Sequence, residues 1–103
     1  MTFIFYGKEK TEQSKLKDVP TILWLNGGPG SSSQLGNLME LGPFWLTTSD
    51  TKAWDIVRNN NSWTKEYNVI FVDQPVGTGL SYADPSYPKA YVTNMTELAN
   101  DFY

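Results

Sequence analysis

Two apolar runs, each closed by a glycine-rich turn, constrain this chain more than any other feature. Thr21-Ile22-Leu23-Trp24-Leu25 leads into Asn26-Gly27-Gly28-Pro29-Gly30. Asn68-Val69-Ile70-Phe71-Val72-Asp73 leads into Gln74-Pro75-Val76-Gly77-Thr78-Gly79. Short runs without polar alternation read as strands buried on both faces, as in parallel sheets. A helical pattern follows each turn, so the arrangement is that of an α/β sheet. Ligands bind such sheets at the carboxyl ends of the strands, which makes the two turns the place to look for function.

The remaining segments are read around that frame. Met1 to Tyr6 is aromatic and β-branched and reads as a short strand. Gly7 to Pro20 is polar and charged, with no apolar period, and reads as a surface loop. Ser31 to Leu41 forms a short helix with Leu35, Leu38, Met39 and Leu41 as its apolar stripe, ended by Gly42-Pro43. Phe44 to Trp63 reads as irregular, with a turn at Asn59-Asn60-Asn61. Ser81 to Lys89, with Pro85 and Pro88, is loop. Thr93 to Tyr103 has helical period, with Met95, Leu98, Ala99 and Phe102 on one side. Its cap is Thr93 or Asn94, with Glu97 placed to complete a capping box. No helix-ending signal precedes Tyr103, so the chain reads as cut in mid-helix, and there are no internal repeats.

Composition excludes several function classes. A hydrophobic share of 40% and an aromatic share of 15% are too high for a disordered tail. A net charge of -3 without a basic patch argues against nucleic acid, and no Lys/Arg-rich helix points to a membrane surface. No stretch approaches the roughly 20 apolar residues that span a bilayer. The apolar start, Met1 to Tyr6, is too short for a signal-peptide core. The absence of cysteine removes disulfides and thiolate metal sites. The absence of histidine removes the commonest general base and the commonest metal ligand. Neither a metal nor a cofactor is expected.

The first turn has the stronger chemistry. Consecutive glycines let a ligand approach the main chain, and free N–H groups ahead of a helix suit an anion or a developing oxyanion. A plain strand-to-helix turn accounts for the same residues. A phosphate loop does not, because no Gly-Lys-Ser/Thr ending follows. In the second turn, Asp73 at a strand end is more often a turn-former than a catalytic acid, and Gly77 and Gly79 are more often tight-turn residues than ligand contacts. Ser31, Ser32, Ser33 and Ser81 are read as structural. No histidine is present to activate them, and no Gly-x-Ser-x-Gly elbow holds any of them.

Segments Leu23 to Ser33, Glu40 to Phe44, Asn61 to Tyr82 and Ala99 to Tyr103 follow one another as conserved blocks do in the serine carboxypeptidases, and the chain resembles that family. The resemblance implies a partial α/β-hydrolase sheet with flanking helices, residues 1–103 being the N-terminal portion of the domain. Met1 to Tyr6 would lie beside the Val69–Val72 strand. Gly28 would give a backbone N–H to the oxyanion hole. Asn26, with the Gly27 backbone and Trp24 nearby, would hold the free C-terminal carboxylate of a peptide substrate, which an uncharged amide can do by hydrogen bonding. The family's nucleophile elbow would begin after Tyr103. Its acidic and histidine triad members, and the glutamate that partners the amide, are not in this chain. Thr64 and Leu80 are mild departures from the family pattern.

The implied activity is hydrolysis of C-terminal peptide bonds, with this chain inactive by itself. The alternative is a non-catalytic fragment or pseudoenzyme acting as a binding or structural piece. Acyltransferases and lyases share these blocks. Asn60-Asn61-Ser62 and Asn94-Met95-Thr96 are glycosylation sequons. They fit a secretory, vacuolar or extracellular setting, which the resemblance also implies. The isolated 103 residues are expected to fold poorly, since the sheet would keep an unprotected edge.

Overall fold

The computed structural model describes residues 1–51, 53–87 and 89–103. Its centre is strand β5, Asn68–Asp73, the apolar run whose Val69 and Phe71 are wholly buried. Strand β1, Thr2–Tyr6, pairs with it antiparallel, Phe3 opposite Val72 and Phe5 opposite Ile70. Strand β2, Thr21–Trp24, pairs with it parallel on the other side, Leu23 opposite Ile70 and Trp24 opposite Phe71. The order is therefore β1-β5-β2, a mixed sheet with both glycine-rich turns at the same end. With helices attached, this is a partial α/β fold, and β1 lies beside Val69–Val72 as expected.

Side chains alternate across a strand, so the register assigns the two faces. One face carries Tyr6, Phe71 and Trp24, and it is covered. Tyr6 meets Phe71 edge-on at 6.1 Å, and Trp24 meets Trp63 edge-on at 5.7 Å. The other face carries Phe3, Phe5 and Leu23, which stand 62%, 46% and 48% exposed. This corrects the expectation that the Thr21–Leu25 run is buried on both faces. Only the central strand is, because β2 has a strand on one side and cover on one face.

Two more expectations are corrected. The segment Gly7 to Pro20 contains a 3-10 helix, Gln13–Asp18. Its single anchor is Leu16, packed so tightly on Gly7 that a Cβ there would sit 2.7 Å from the leucine side chain. Asn68 Nδ2 then donates to the Leu16 and Val19 carbonyls at 2.8 and 3.2 Å. One apolar residue leaves no period to read. The segment Phe44 to Trp63 contains a β-hairpin, β3 (Phe44–Thr48) and β4 (Trp54–Arg58), with Phe44 opposite Arg58 and Thr48 opposite Trp54. Both strands are rich in aromatic and β-branched residues, which favour a pleated surface. Their mostly exposed faces leave no clean alternation.

The helical patterns hold with changed boundaries. Helix α1 is only Gln34–Gly36 and continues as a π-helical turn, Asn37–Leu41, closed by the Gly42 N–H on the Asn37 carbonyl at 3.1 Å. Asn59, fully buried, donates to the Glu40 and Gly42 carbonyls and so ties the end of the hairpin to that turn. Helix α2, Met95–Phe102, starts at Asn94, whose Oδ1 accepts the Glu97 N–H at 3.0 Å. The Glu97 carboxylate in turn accepts the N–H and hydroxyl of Thr93, one residue before the cap, so the expected cap forms at Asn94 with its return bonds shifted by one position from a capping box.

Candidate active site

β2 and β5 run parallel, so their carboxyl ends deliver the two glycine-rich turns side by side. Asp73 joins them. It is wholly buried. Its Oδ1 accepts the Ser32 hydroxyl at 2.8 Å and the Ser33 N–H at 2.7 Å, and its Oδ2 accepts the Leu80 N–H at 2.8 Å. Gly79, at φ 51°, leaves the space the carboxylate fills, since a Cβ there would lie 2.3 Å from Oδ2. The serine hydroxyls are similarly committed. Ser33 donates to the Val72 carbonyl and accepts the Asn26 N–H at 3.1 Å. Ser81 donates to the Asp73 carbonyl and accepts the Thr2 N–H at 2.7 Å. Asp73 thus serves as the peg of both turns.

The first turn is differently built. Gly28 adopts φ 128° and Gly30 φ 95°, a region that favours glycine. A Cβ on Gly27 would meet no heavy atom within 4 Å. Gly27 and Gly28 are exposed, and among the described residues their N–H groups meet no acceptor. Behind them, Trp24 Nε1 donates to Asn26 Oδ1 at 2.7 Å. An indole N–H is a donor only, so it must engage the amide oxygen. The Asn26 NH2 is therefore the half left over, and it meets no acceptor among the described residues. Asn26 is held from below as well, its backbone N–H on Ser33 Oγ. Trp24, Asn26, Gly27 and Gly28 thus lie together, with the Asn26 NH2 and the Gly27 and Gly28 N–H groups as the donors left unspent among the described residues.

Gly36, outside the family-like segments, and Trp63, inside one of them, support this group. Gly36 of α1 is buried against it: a Cβ would lie 2.4 Å from Trp24 Nε1 and 2.9 Å from Asn26 Oδ1. Trp63 stands perpendicular to Trp24. It belongs to a short 3-10 helix, Trp63–Lys65, capped by Ser62 Oγ on the Thr64 N–H. Glu9 fixes that helix by accepting the Thr64 hydroxyl at 2.9 Å and donating its own N–H to the Thr64 carbonyl at 2.7 Å. A separate cleft of about 290 Å³ opens past the far end of the turn, lined by Pro29, Gly30, Pro75, Met95 and Leu98 among others. None of the four donor-site residues lines it, so the chemistry and this cleft are neighbours, not one site.

The model of the serine carboxypeptidase family matches residues 2–103. The chain belongs to that family. Among curated serine carboxypeptidases, the pheromone-processing carboxypeptidase KEX1 of Sordaria macrospora is 49% identical over 82 residues, 80% of this chain and 12% of its own length. That of Candida glabrata is 41% identical over 100 residues, covering 97% of this chain and 13% of its own length. The crystal structure of the Saccharomyces cerevisiae prohormone-processing carboxypeptidase Kex1 superimposes with a TM-score of 0.74 at 33% identity, over 97% of this chain and 20% of that one. The chain thus spans about an eighth of the length of these curated carboxypeptidases. That carboxypeptidase structure also agrees with the α/β-hydrolase reading of the sheet.

Proposed function

We propose that this chain is the substrate-carboxylate and oxyanion-hole segment of a serine-type carboxypeptidase that hydrolyses C-terminal peptide bonds. The observation that carries the reading is the Trp24–Asn26 hydrogen bond at 2.7 Å. It spends the amide oxygen and leaves an NH2 aimed at acceptors. A C-terminal carboxylate is such an acceptor, and Gly27, without a side chain or a neighbour in front of it, gives it room. The Gly28 N–H then faces the oxygen that becomes negative when the scissile carbonyl is attacked. Preorganised donors of this kind act where charge develops and need no rearrangement during reaction.

The chain has no histidine. The nucleophilic serine, its histidine and the acid of the triad would accordingly come from residues outside these 103, and the chain alone would not turn over. The relatives named for pheromone and prohormone processing favour peptide substrates and the secretory pathway.

The test is kinetic, on the full-length protein. Asn26→Ala should raise KM for peptides with a free C-terminus by about 10- to 100-fold, the worth of a hydrogen bond to a charged group. It should do little to the same peptides ending in a carboxamide. Equal losses on both substrates would overturn the carboxylate reading.

A further inference from the structure

We infer that Gly36 is a positioning residue for substrate-carboxylate recognition: its missing side chain is what allows Trp24 to hold the Asn26 amide in its donor-out orientation. This rests on the reading of Asn26 as the carboxylate-binding group. Gly36 lies in α1, in a helical conformation that any residue adopts, with no positive φ to demand glycine. Alanine is the better helix former. The demand is spatial. The three atoms nearest a Cβ at this position are Trp24 Nε1 at 2.4 Å, Asn26 Oδ1 at 2.9 Å and Trp24 Cδ1 at 3.0 Å. Two of those are the donor and the acceptor of the bond that orients the amide.

A methyl group at residue 36 therefore displaces the indole N–H or the amide oxygen. Trp24 has little freedom to retreat, because Trp63 packs edge-on against it at 5.7 Å. Once the indole bond is lost, nothing fixes which half of the amide faces outward. With Oδ1 outward, an acceptor meets the anion, and recognition of the carboxylate becomes repulsion. The reacting carbonyl and the Gly28 N–H are not touched. The effect should appear in KM for free acids and not in kcat, and should vanish when the substrate has no carboxylate.

The experiment compares peptide substrates ending in a free acid and in a carboxamide, on the full-length protein. Gly36→Ala should raise the free-acid KM about tenfold or more and leave the carboxamide kinetics and kcat unchanged. Trp24→Phe removes the N–H and thins the ring, so adding Gly36→Ala to it should cost nothing further, a non-additive pair. If Gly36→Ala alone does not fold, the comparison of Trp24→Phe with Trp24→Phe/Gly36→Ala decides: equal free-acid KM values support the role, and a further rise overturns it. An unchanged KM in a folded Gly36→Ala overturns it directly, while a raised KM in Asn26→Ala shows that the carboxylate reading still stands. If Asn26→Ala also leaves KM unchanged, the carboxylate reading itself has failed.

Discussion

The two glycine-rich turns have similar composition and opposite construction. The turn after β5 consumes its own polar groups. Gly77 N–H meets the Ser81 carbonyl at 2.9 Å, Thr78 N–H the Pro75 carbonyl at 3.1 Å, and Ser81 N–H the Thr78 carbonyl at 2.8 Å. Leu80 N–H goes to Asp73. The turn after β2 makes one such bond, Ser31 N–H to the Gly27 carbonyl at 3.3 Å. Its Gly27 and Gly28 donors stay exposed and uncommitted among the described residues. Glycine makes room in both places. In the second turn the space is taken by the protein's own carboxylate, and in the first it faces outward. A glycine cluster therefore marks a close approach without saying whose atoms approach.

Removing the peg should give the largest effect. Asp73→Ala deletes an acceptor for three donors, and leaves the buried Ser33 N–H without a partner. Leaving a buried donor without its acceptor typically costs about 1–3 kcal/mol, and three donors lose theirs here. That is a large fraction of the stability of an ordinary domain. The full-length Asp73→Ala protein should be recovered poorly and unfold at much lower denaturant. An unfolding midpoint matching the parent would mean that Asp73 is not what holds the turns together.

The sharper contrast sets glycine against glycine. At Gly79, a positive φ and contacts of 2.3 Å to Asp73 Oδ2 and 2.5 Å to Ser32 Oγ leave no place for a methyl group. Gly79→Ala should destabilise by about 2–3 kcal/mol through overpacking and strain. At Gly27, neither obstacle exists. Gly27→Ala should shift stability by no more than about 0.5 kcal/mol, yet raise KM for free-acid peptides because the methyl group occupies the approach to Asn26. Thermal unfolding and KM measured on both variants separate the two turns. Equal destabilisation would erase the distinction between them.

How much of this was legible follows the same division. The central strand could be read because every residue from Val69 to Val72 is apolar and the structure buries all of them but Ile70, which is half-buried. The Asn94 cap of α2 could be read because its partners are local in sequence. The hairpin of β3 and β4 could not, since strands with Trp54 71% exposed and Ile56 65% exposed carry no buried alternation to detect. Trp24, Asn26, Gly27 and Gly28 stood out because a family pattern covers them, and the structure puts them together. Gly36 lies outside the family-like segments, and Trp63 lies in one that does not say what it packs against. Their importance lies in distances to Trp24 across the fold, and those depend on α1 and the Trp63 helix being folded against the sheet.

The smallest effect belongs to the cap of α2. Glu97 holds its carboxyl below the ordinary glutamate range, first because the Thr93 backbone N–H donates to it and then because the Thr93 hydroxyl does. A carboxylate with a lowered folded-state pKa stabilises the folded helix start fully above its unfolded pKa. That contribution fades as pH falls through the lowered value. The group is exposed, so salt and water screen it, and global stability should hardly register the change. The readable signal is local. In a pH titration followed by NMR, the Glu97 carboxyl and the Thr93 amide should move together, with a midpoint below that of an unstructured glutamate. Thr93→Ala keeps the N–H and loses the hydroxyl, so it should raise that midpoint only partway. A Glu97 midpoint in the ordinary range in the parent protein would show that the Thr93–Glu97 contact is not formed in solution.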